Sequence, residues 1–379
     1  MLPRRQGRAR AGFTLVELLM VITIIGMLVG LGSYAAFQAI ATGQNASIAL
    51  DIQSLNAAMQ SYKADHKQYP PDLSDINYSY RQTRFQNHIG LAFPRCGTSY
   101  ATLKSYILNN TYKSYGYNYI ASGGSATPLN LDTMDQAEAL VFWLGGFPTP
   151  YTQTGTPMPL ASRKLFGFHT DVTNPFRLDS GTGTNIAYRT TSLMDFDETR
   201  LVDQDQDGWY EYVPRGSVQG TNGKTPPYVY FDAGSYTQVW TGKTPPFCAY
   251  PMPRPSDPNG QMQTLMQAWG NAVPYCQWYY ASASPPMAQW INPTTFQIIS
   301  AGGDGTYGNP TSSNVRIPSF PYGATWTVPQ LTQSYWDQAE LDNITNFTKG
   351  TIDQDSSAQQ GTQPANAGSS GSSGSGSGS

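Results

Sequence analysis

The strongest constraint on how this chain can fold is the run from Phe13 to Gly32, twenty residues whose only charged side chain is Glu17. About 20 apolar residues in a helix span the hydrocarbon core of a bilayer. Residues 1–12 carry Arg4, Arg5, Arg8 and Arg10 and no acid, so this end is expected to stay in the cytoplasm. A secretory signal peptide has its small-residue cleavage site after the apolar run. Here the small residue, Gly12, comes before it. A cut after Gly12 would leave the helix in the membrane with a new amine at Phe13, one helical turn from the Glu17 carboxylate. A carboxylate inside such a segment is costly and marks a function.

The helical pattern continues beyond the membrane length. Ile48, Ile52, Leu55, Met59 and Tyr62 step by four, three, four and three, which is one face of an α-helix, while Asp51, Gln53, Gln60 and Lys63 fill the other. Tyr69-Pro70-Pro71 should end the helix, because proline lacks a backbone donor and restricts the residue before it. From Phe13 to about His66 the helix would measure ~80 Å at 1.5 Å per residue, with an outer apolar stripe that needs a cover. Gly26 and Gly30 form a small-xxx-small pair that would let membrane helices approach closely.

Gly12-Phe13-Thr14-Leu15-Val16-Glu17 resembles the leader junction of prepilins and pseudopilins of type IV pili and type II secretion systems. The resemblance implies cleavage between Gly12 and Phe13 by a prepilin peptidase, which also methylates the new amine. It implies that Glu17 attracts the N-terminal amine of a neighbouring subunit during fibre assembly. Tyr69-Pro70-Pro71-Asp72-Leu73 is similar to the turn that follows the helix in these proteins. The implied fold is α+β and pilin-like: a long N-terminal helix on an antiparallel sheet. The expected organisation is a cleaved leader (1–12), the long helix (13–66, with 13–32 in the membrane), a β-rich extracytoplasmic domain (67–350) and a disordered Ser/Gly-rich tail (351–379). Residues 74–190 and 232–290 lie outside the resemblance and read as large loop-rich insertions. The implied location is the inner membrane, single-pass, N-terminus inside and C-terminal domain periplasmic, and later a periplasmic or surface fibre. The implied partners are the peptidase, copies of the chain and other pseudopilins in a helical fibre, an inner-membrane assembly platform and membrane lipid.

Composition agrees with an exported, loop-rich domain. Charged residues are 12% of the chain, against 25 Tyr, 37 Gly and 28 Pro. The net charge is −3, and −7 without the four leader arginines, so no basic surface remains for nucleic acid. An oxidising compartment permits disulfides. Cys248 and Cys276 flank one Pro- and aromatic-rich stretch and could pair, leaving Cys96 over; spacing alone leaves the pairing open. Within the insertions, 77–119 reads as loops and short strands. Residues 132–144 read as a helix capped by Asp132 or Thr133.

Two stretches carry candidate cation ligands. Asp203, Asp205 and Asp207 with Gly208 form D-x-D-x-D-G, in which alternate carboxylates converge on a hard cation and the glycine permits the turn. Glu211 stands at the ninth loop position, but Pro214 occupies the twelfth, where an EF-hand needs its bidentate acid. The expectation is a calcium-stiffened β-loop. Seven of the 25 acids fall between Asp195 and Glu211 with only Arg200 among them, and such crowding repels itself without a cation. The second stretch, Ser300-Ala301-Gly302-Gly303-Asp304-Gly305 with Asp342-Asn343-Ile344-Thr345-Asn346-Phe347, resembles the calcium-binding end of the major, G-type pseudopilin of type II secretion. That resemblance implies Asp342 as the main side-chain ligand, helped by Asp304 or Asn343 and by carbonyls near Ile299 and Ser300. About 30 residues (309–339) interrupt a connection that is very short in the family. Val213-Pro214-Arg215-Gly216 with Pro227-Tyr228-Val229-Tyr230 is similar to a further segment of that family, split by an insertion.

Enzyme signatures are weak. His66, His88 and His169 form no metal-ligand pair. Gly223-Lys224-Thr225-Pro226-Pro227 recurs as Gly242-Lys243-Thr244-Pro245-Pro246 and reads as two related turns, since the glycine that a phosphate loop needs five positions earlier is absent from both. A structural subunit is therefore expected. The alternatives are a type IV pilin for adhesion, motility or DNA uptake, and a membrane-anchored glycan-binding module using aromatic clusters such as Trp278-Tyr279-Tyr280.

Overall fold

The apolar stripe at 48–62 is buried as its spacing predicts: Ile48, Ile52, Leu55, Ala58, Met59 and Tyr62 are all core residues. They lie on α1, which runs Leu15–His66. In this computed structural model the described residues are 14–74, 78–97, 99–105, 118–120, 126–148, 164–176, 189–216, 223–237, 248–251, 261–280, 287–308, 318, 320 and 340–360. Gly12, Phe13, the second Gly-Lys-Thr-Pro-Pro copy and residues 361–379 lie outside them. The chain divides after Gln44 into two units. In the first, α1 is long and apolar enough to cross a membrane. Its large apolar side chains from Leu15 to Ile40 are 43–80% exposed, a surface suited to lipid rather than to water. In the second, α1 ends at His66, and Lys67 turns the chain with φ 68° ahead of the two prolines.

The architecture is mixed α+β, consistent with a pilin-like fold. Beyond α1 the described helices are α2 (Tyr78–Ala92), α3 (Tyr100–Ser105), α4 (Gln136–Gly145), α5 (Ala233–Tyr236), α6 (Gln261–Trp269) and α7 (Ile352–Gln360). Four two-stranded antiparallel pairs join β1 (Asn118–Ile120) to β2 (Ala126–Pro128), β3 (Phe147–Pro148) to β4 (Leu165–Phe166), β5 (Leu201–Val202) to β6 (Glu211–Tyr212), and β8 (Cys276–Tyr280) to β9 (Met287–Trp290). The largest described sheet has three antiparallel strands, with β10 (Phe296–Ser300) between β7 (Val229–Asp232) and β11 (Ile344–Thr345). Ile298 faces Tyr230 across it, and Ile299 faces both Val229 and Thr345.

This sheet is buried on both faces, its middle strand along its whole length. Tyr228, Tyr230, Phe296 and Ile298 join the core that holds the outer stripe of α1. Val229, Phe231 and Ile299 join a second core with α6 and Ile352. Gln297 is fully buried in the middle strand and fully paired. Its Nε2 donates to Tyr275 O at 2.9 Å and Ile291 O at 2.8 Å, and its Oε1 accepts from Tyr275 N at 2.8 Å. Asp51, on the polar side of α1, accepts from Tyr228 Oη at 2.8 Å and is ion-paired with Arg200.

Several sequence expectations are corrected here. Part of 77–119 is helical: α2 buries Phe85, His88 and Ile89, and Arg81 Nη2 donates to Leu131 O and Met134 O, both at 2.6 Å. The abundance of Tyr, Asn and Gln hid an i, i+3, i+4 face. The cap of α4 is Asp135 rather than Asp132 or Thr133, because Asp132 pairs with Lys104 and accepts from Tyr100 Oη at 2.7 Å. The expected tail at 351 begins as a helix. Ile352 is fully buried, and the N–H groups of Ile352 and Asp353 donate to Asn343 O and Leu341 O. Cys248 and Cys276 are not bonded to each other; they are buried thiols, like Cys96. Cys276 Sγ lies 3.6 Å from Pro318 O, and burial pushes its thiol up to about 12.

The buried His88 yields a pH prediction. Its Nδ1 accepts from Gln68 Nε2 at 2.7 Å, which leaves Nε2–H to donate to Tyr62 Oη at 2.8 Å. Burial, then His66 and Arg84, holds its pKa down to about 3. An unfolded histidine titrates near 6.5, so this contribution is complete above that value and is lost as pH falls towards 3. At pH 5 the loss is about 2 kcal/mol. The stability gap between the full-length protein and His88→Gln in detergent, measured by urea unfolding, should therefore narrow by that amount from pH 7 to pH 5. A constant gap would contradict a buried neutral ring.

Candidate metal centre

The D-x-D-x-D-G segment forms the loop between β5 and β6, with no flanking helix pair of the EF-hand kind. Its turn needs two left-handed residues, Gln206 (φ 64°) and Gly208 (φ 97°). Carboxylates organise the backbone: Asp203 Oδ1 accepts from Asp207 N at 3.1 Å, and Asp207 Oδ1 from Trp209 N at 3.0 Å. Trp209 is buried and its Nε1 donates to Asn130 O at 2.8 Å, anchoring the loop to the segment before α4. Asp203, Asp205 and Asp207 each offer an oxygen within 4.8 Å of the others.

The structure adds two acids that sequence reasoning missed. Asp135 and Glu138 form a capping box at the start of α4. Asp135 Oδ1 accepts from Ala137 N at 2.9 Å and Glu138 N at 3.0 Å, while Glu138 Oε2 accepts from Asp135 N at 2.7 Å. They form a second triad with Asp205, again within 4.8 Å. The D-x-x-E spacing at 135–138 was a visible signal for the box; nothing local pointed to the hairpin loop. Glu211 lies beside the cluster with both oxygens engaged, Oε2 by Gln204 N at 3.2 Å and Oε1 by Tyr250 Oη at 3.2 Å.

The electrostatics are one-sided. Glu138, Asp205 and Glu211 are pushed well above the ordinary carboxylate range, first by burial and then by neighbouring carboxylates. Among the described residues, Arg200 pairs with Asp51 and donates to Val213 O, Arg81 donates to Leu131 O and Met134 O, and Lys224 Nζ donates to the backbone oxygen of Gln204.

At the second candidate site the structure brings Asp304 and Asp342 together, and the amide nitrogen of Asn343 faces the core while its Oδ1 has no hydrogen-bond partner. Asp342 Oδ2 accepts from Asp304 N at 2.8 Å, whereas Asn343 Nδ2 donates into the core, to Tyr275 Oη and Tyr307 O. Asp304 Oδ1 is occupied by Thr306 N and Oγ1. Burial, then Asp304, raises Asp342 to about 7. Gly302 is required where it stands, with φ 65° and a would-be Cβ 2.1 Å from Asp342 O.

At the start of α1, Glu17 closes its own capping box. Glu17 Oε2 accepts from Thr14 N at 2.9 Å, and Thr14 Oγ1 accepts from Glu17 N at 3.3 Å. Gly26 and Gly30 have open space where a Cβ would stand.

Residues 7–33 match the prokaryotic N-terminal methylation motif. With the apolar helix it opens, the motif is that of a prepilin-like leader and supports a pilin-like or pseudopilin subunit in general. Processing by a prepilin peptidase, assembly with other pilin-type subunits and membrane anchoring accompany that leader. No curated protein and no solved structure matches the chain.

Proposed function

We propose that this chain is a pseudopilin of a type II secretion system, assembling through α1 into a short periplasmic fibre that drives protein export. The leader match, with Glu17 at the head of an apolar helix, carries the reading. Asp304 beside Asp342 in the loop after β10, in a segment that resembles the G-type pseudopilin, favours secretion over a type IV pilus. In this reading the peptidase cuts between Gly12 and Phe13 and methylates Phe13, and calcium at Asp342 and Asp304 stiffens the C-terminal loop.

Processing is tested by N-terminal sequencing. Mature protein should begin at methylated Phe13, and Gly12→Val should retain the leader; release of the leader from that variant would remove the proposed cut site. For the pathway, deleting the gene should empty the culture supernatant of exported enzymes while surface pili persist. Normal secretion with loss of pili, twitching or DNA uptake would assign the chain to a type IV pilus instead.

A further inference from the structure

We propose that a calcium ion is buried between α4 and the β5–β6 loop, held by Asp135 and Glu138 from the helix and by Asp203, Asp205 and Asp207 from the loop. Asp205 is the ligand common to both halves. The site lies apart from the C-terminal loop and does not depend on whether the fibre is a pseudopilus or a pilus.

Several observations converge. Asp135, Glu138, Asp205 and Asp207 are at most 6% exposed. In the helix pair and in Asp203 and Asp207, one carboxylate oxygen is fixed by a backbone N–H, which holds each group in one orientation. Three buried oxygens, Glu138 Oε1, Asp205 Oδ1 and Asp207 Oδ2, have no hydrogen-bond partner. A buried polar atom left unpaired costs of order 1–3 kcal/mol, more when charged, so three in one cluster call for an occupant. The two triads share Asp205, and each has its ligand atoms within 4.8 Å. A cation between them would tie residues 65 positions apart in the sequence, Glu138 and Asp203.

The donor set selects the ion. All the donors are carboxylate oxygens, which suits a hard cation rather than zinc or copper. Calcium accepts six to eight oxygens in irregular geometry at roughly 2.3–2.6 Å, whereas magnesium demands a near-ideal octahedron and tends to keep its waters. A dry site with anchored carboxylates therefore favours calcium. The role is structural: the ion would fasten the buried helix of one insertion to the acidic hairpin.

The test uses the full-length protein in detergent, stripped with chelator and then titrated with CaCl2. At calcium about a hundredfold above Kd, the melting temperature should rise by about 5 °C. Glu138→Gln and Asp205→Asn should abolish that response. Both substitutions remove buried charge, so their calcium-free forms should melt no lower than the stripped wild type, which shows that they fold. Asp342→Asn separates the other candidate site and should leave most of the response intact. MgCl2 at equal concentration should give a smaller shift. A calcium response absent from the wild type, or unchanged in Asp205→Asn and Glu138→Gln, would overturn the proposal.

Discussion

Glu17→Ala should still lose its leader yet enter fibres roughly 10²–10³-fold less than the wild type, the factor expected when one partner of a buried charge pair is removed. The observation behind the size is the position of Glu17, the sole charge between Phe13 and Gly32, on the first turn of α1. The structure adds a complication: the same carboxylate caps the helix through Thr14 N, and losing a cap costs of order 1 kcal/mol by itself. Glu17→Gln separates the two roles, because its amide oxygen can still accept from Thr14 N while carrying no charge. If attraction to a neighbour's amine drives assembly, Gln should fail almost as badly as Ala. The readout is the amount of sheared or cross-linked fibre at equal levels of processed subunit. Fibre from Glu17→Gln at wild-type yield would reduce the residue to a helix cap.

Trp143→Ala should destabilise the unit that follows Gln44 by about 3–5 kcal/mol, the range for removing a large aromatic from a packed core. Trp143 is 1% exposed and lies on α4, where every residue is buried. Its ring meets Tyr62 of α1 edge-on at 6.0 Å, His88 of α2 edge-on at 4.9 Å, and Phe85 at 5.6 Å. Its Nε1 donates to Pro71 O at 3.0 Å, so truncation also strips a partner from the turn after α1. One side chain thus joins the outer half of α1 to α2 and to its own helix α4. Urea unfolding of the full chain, with Trp143→Phe as the milder companion, gives the measurement. A loss below about 1 kcal/mol would mean that the helices do not share one core.

Features with a local physical cause were legible in the sequence. The outer stripe of α1 could be read because a helix repeats every 3.6 residues, and its stop because two prolines follow. The β5–β6 loop could be read because alternate aspartates and a glycine suffice to specify a tight acidic turn. The failures also have causes. α2 is polar on most of its surface, so composition outweighed three core residues, Phe85, His88 and Ile89. The cap of α4 stands three residues beyond the first acid that could have served, because Asp132 answers to Lys104 and Tyr100 in space rather than to its own helix. Asn343 is a candidate ligand by resemblance alone; the sequence could not show that its amide nitrogen donates to Tyr275 Oη and Tyr307 O.

What the sequence by itself determined is the prepilin-like leader and the long apolar helix with its single acid, since each is a pattern of adjacent residues. What only the tertiary structure decided is the carboxylate cluster. Asp135 and Glu138 read as an ordinary helix cap, and Asp203 to Asp207 as an ordinary acidic loop. The burial of Trp209 and of α4 brings them together. Burial also removes the water that would have made five acids unremarkable, and that desolvation turns two local motifs into one candidate site.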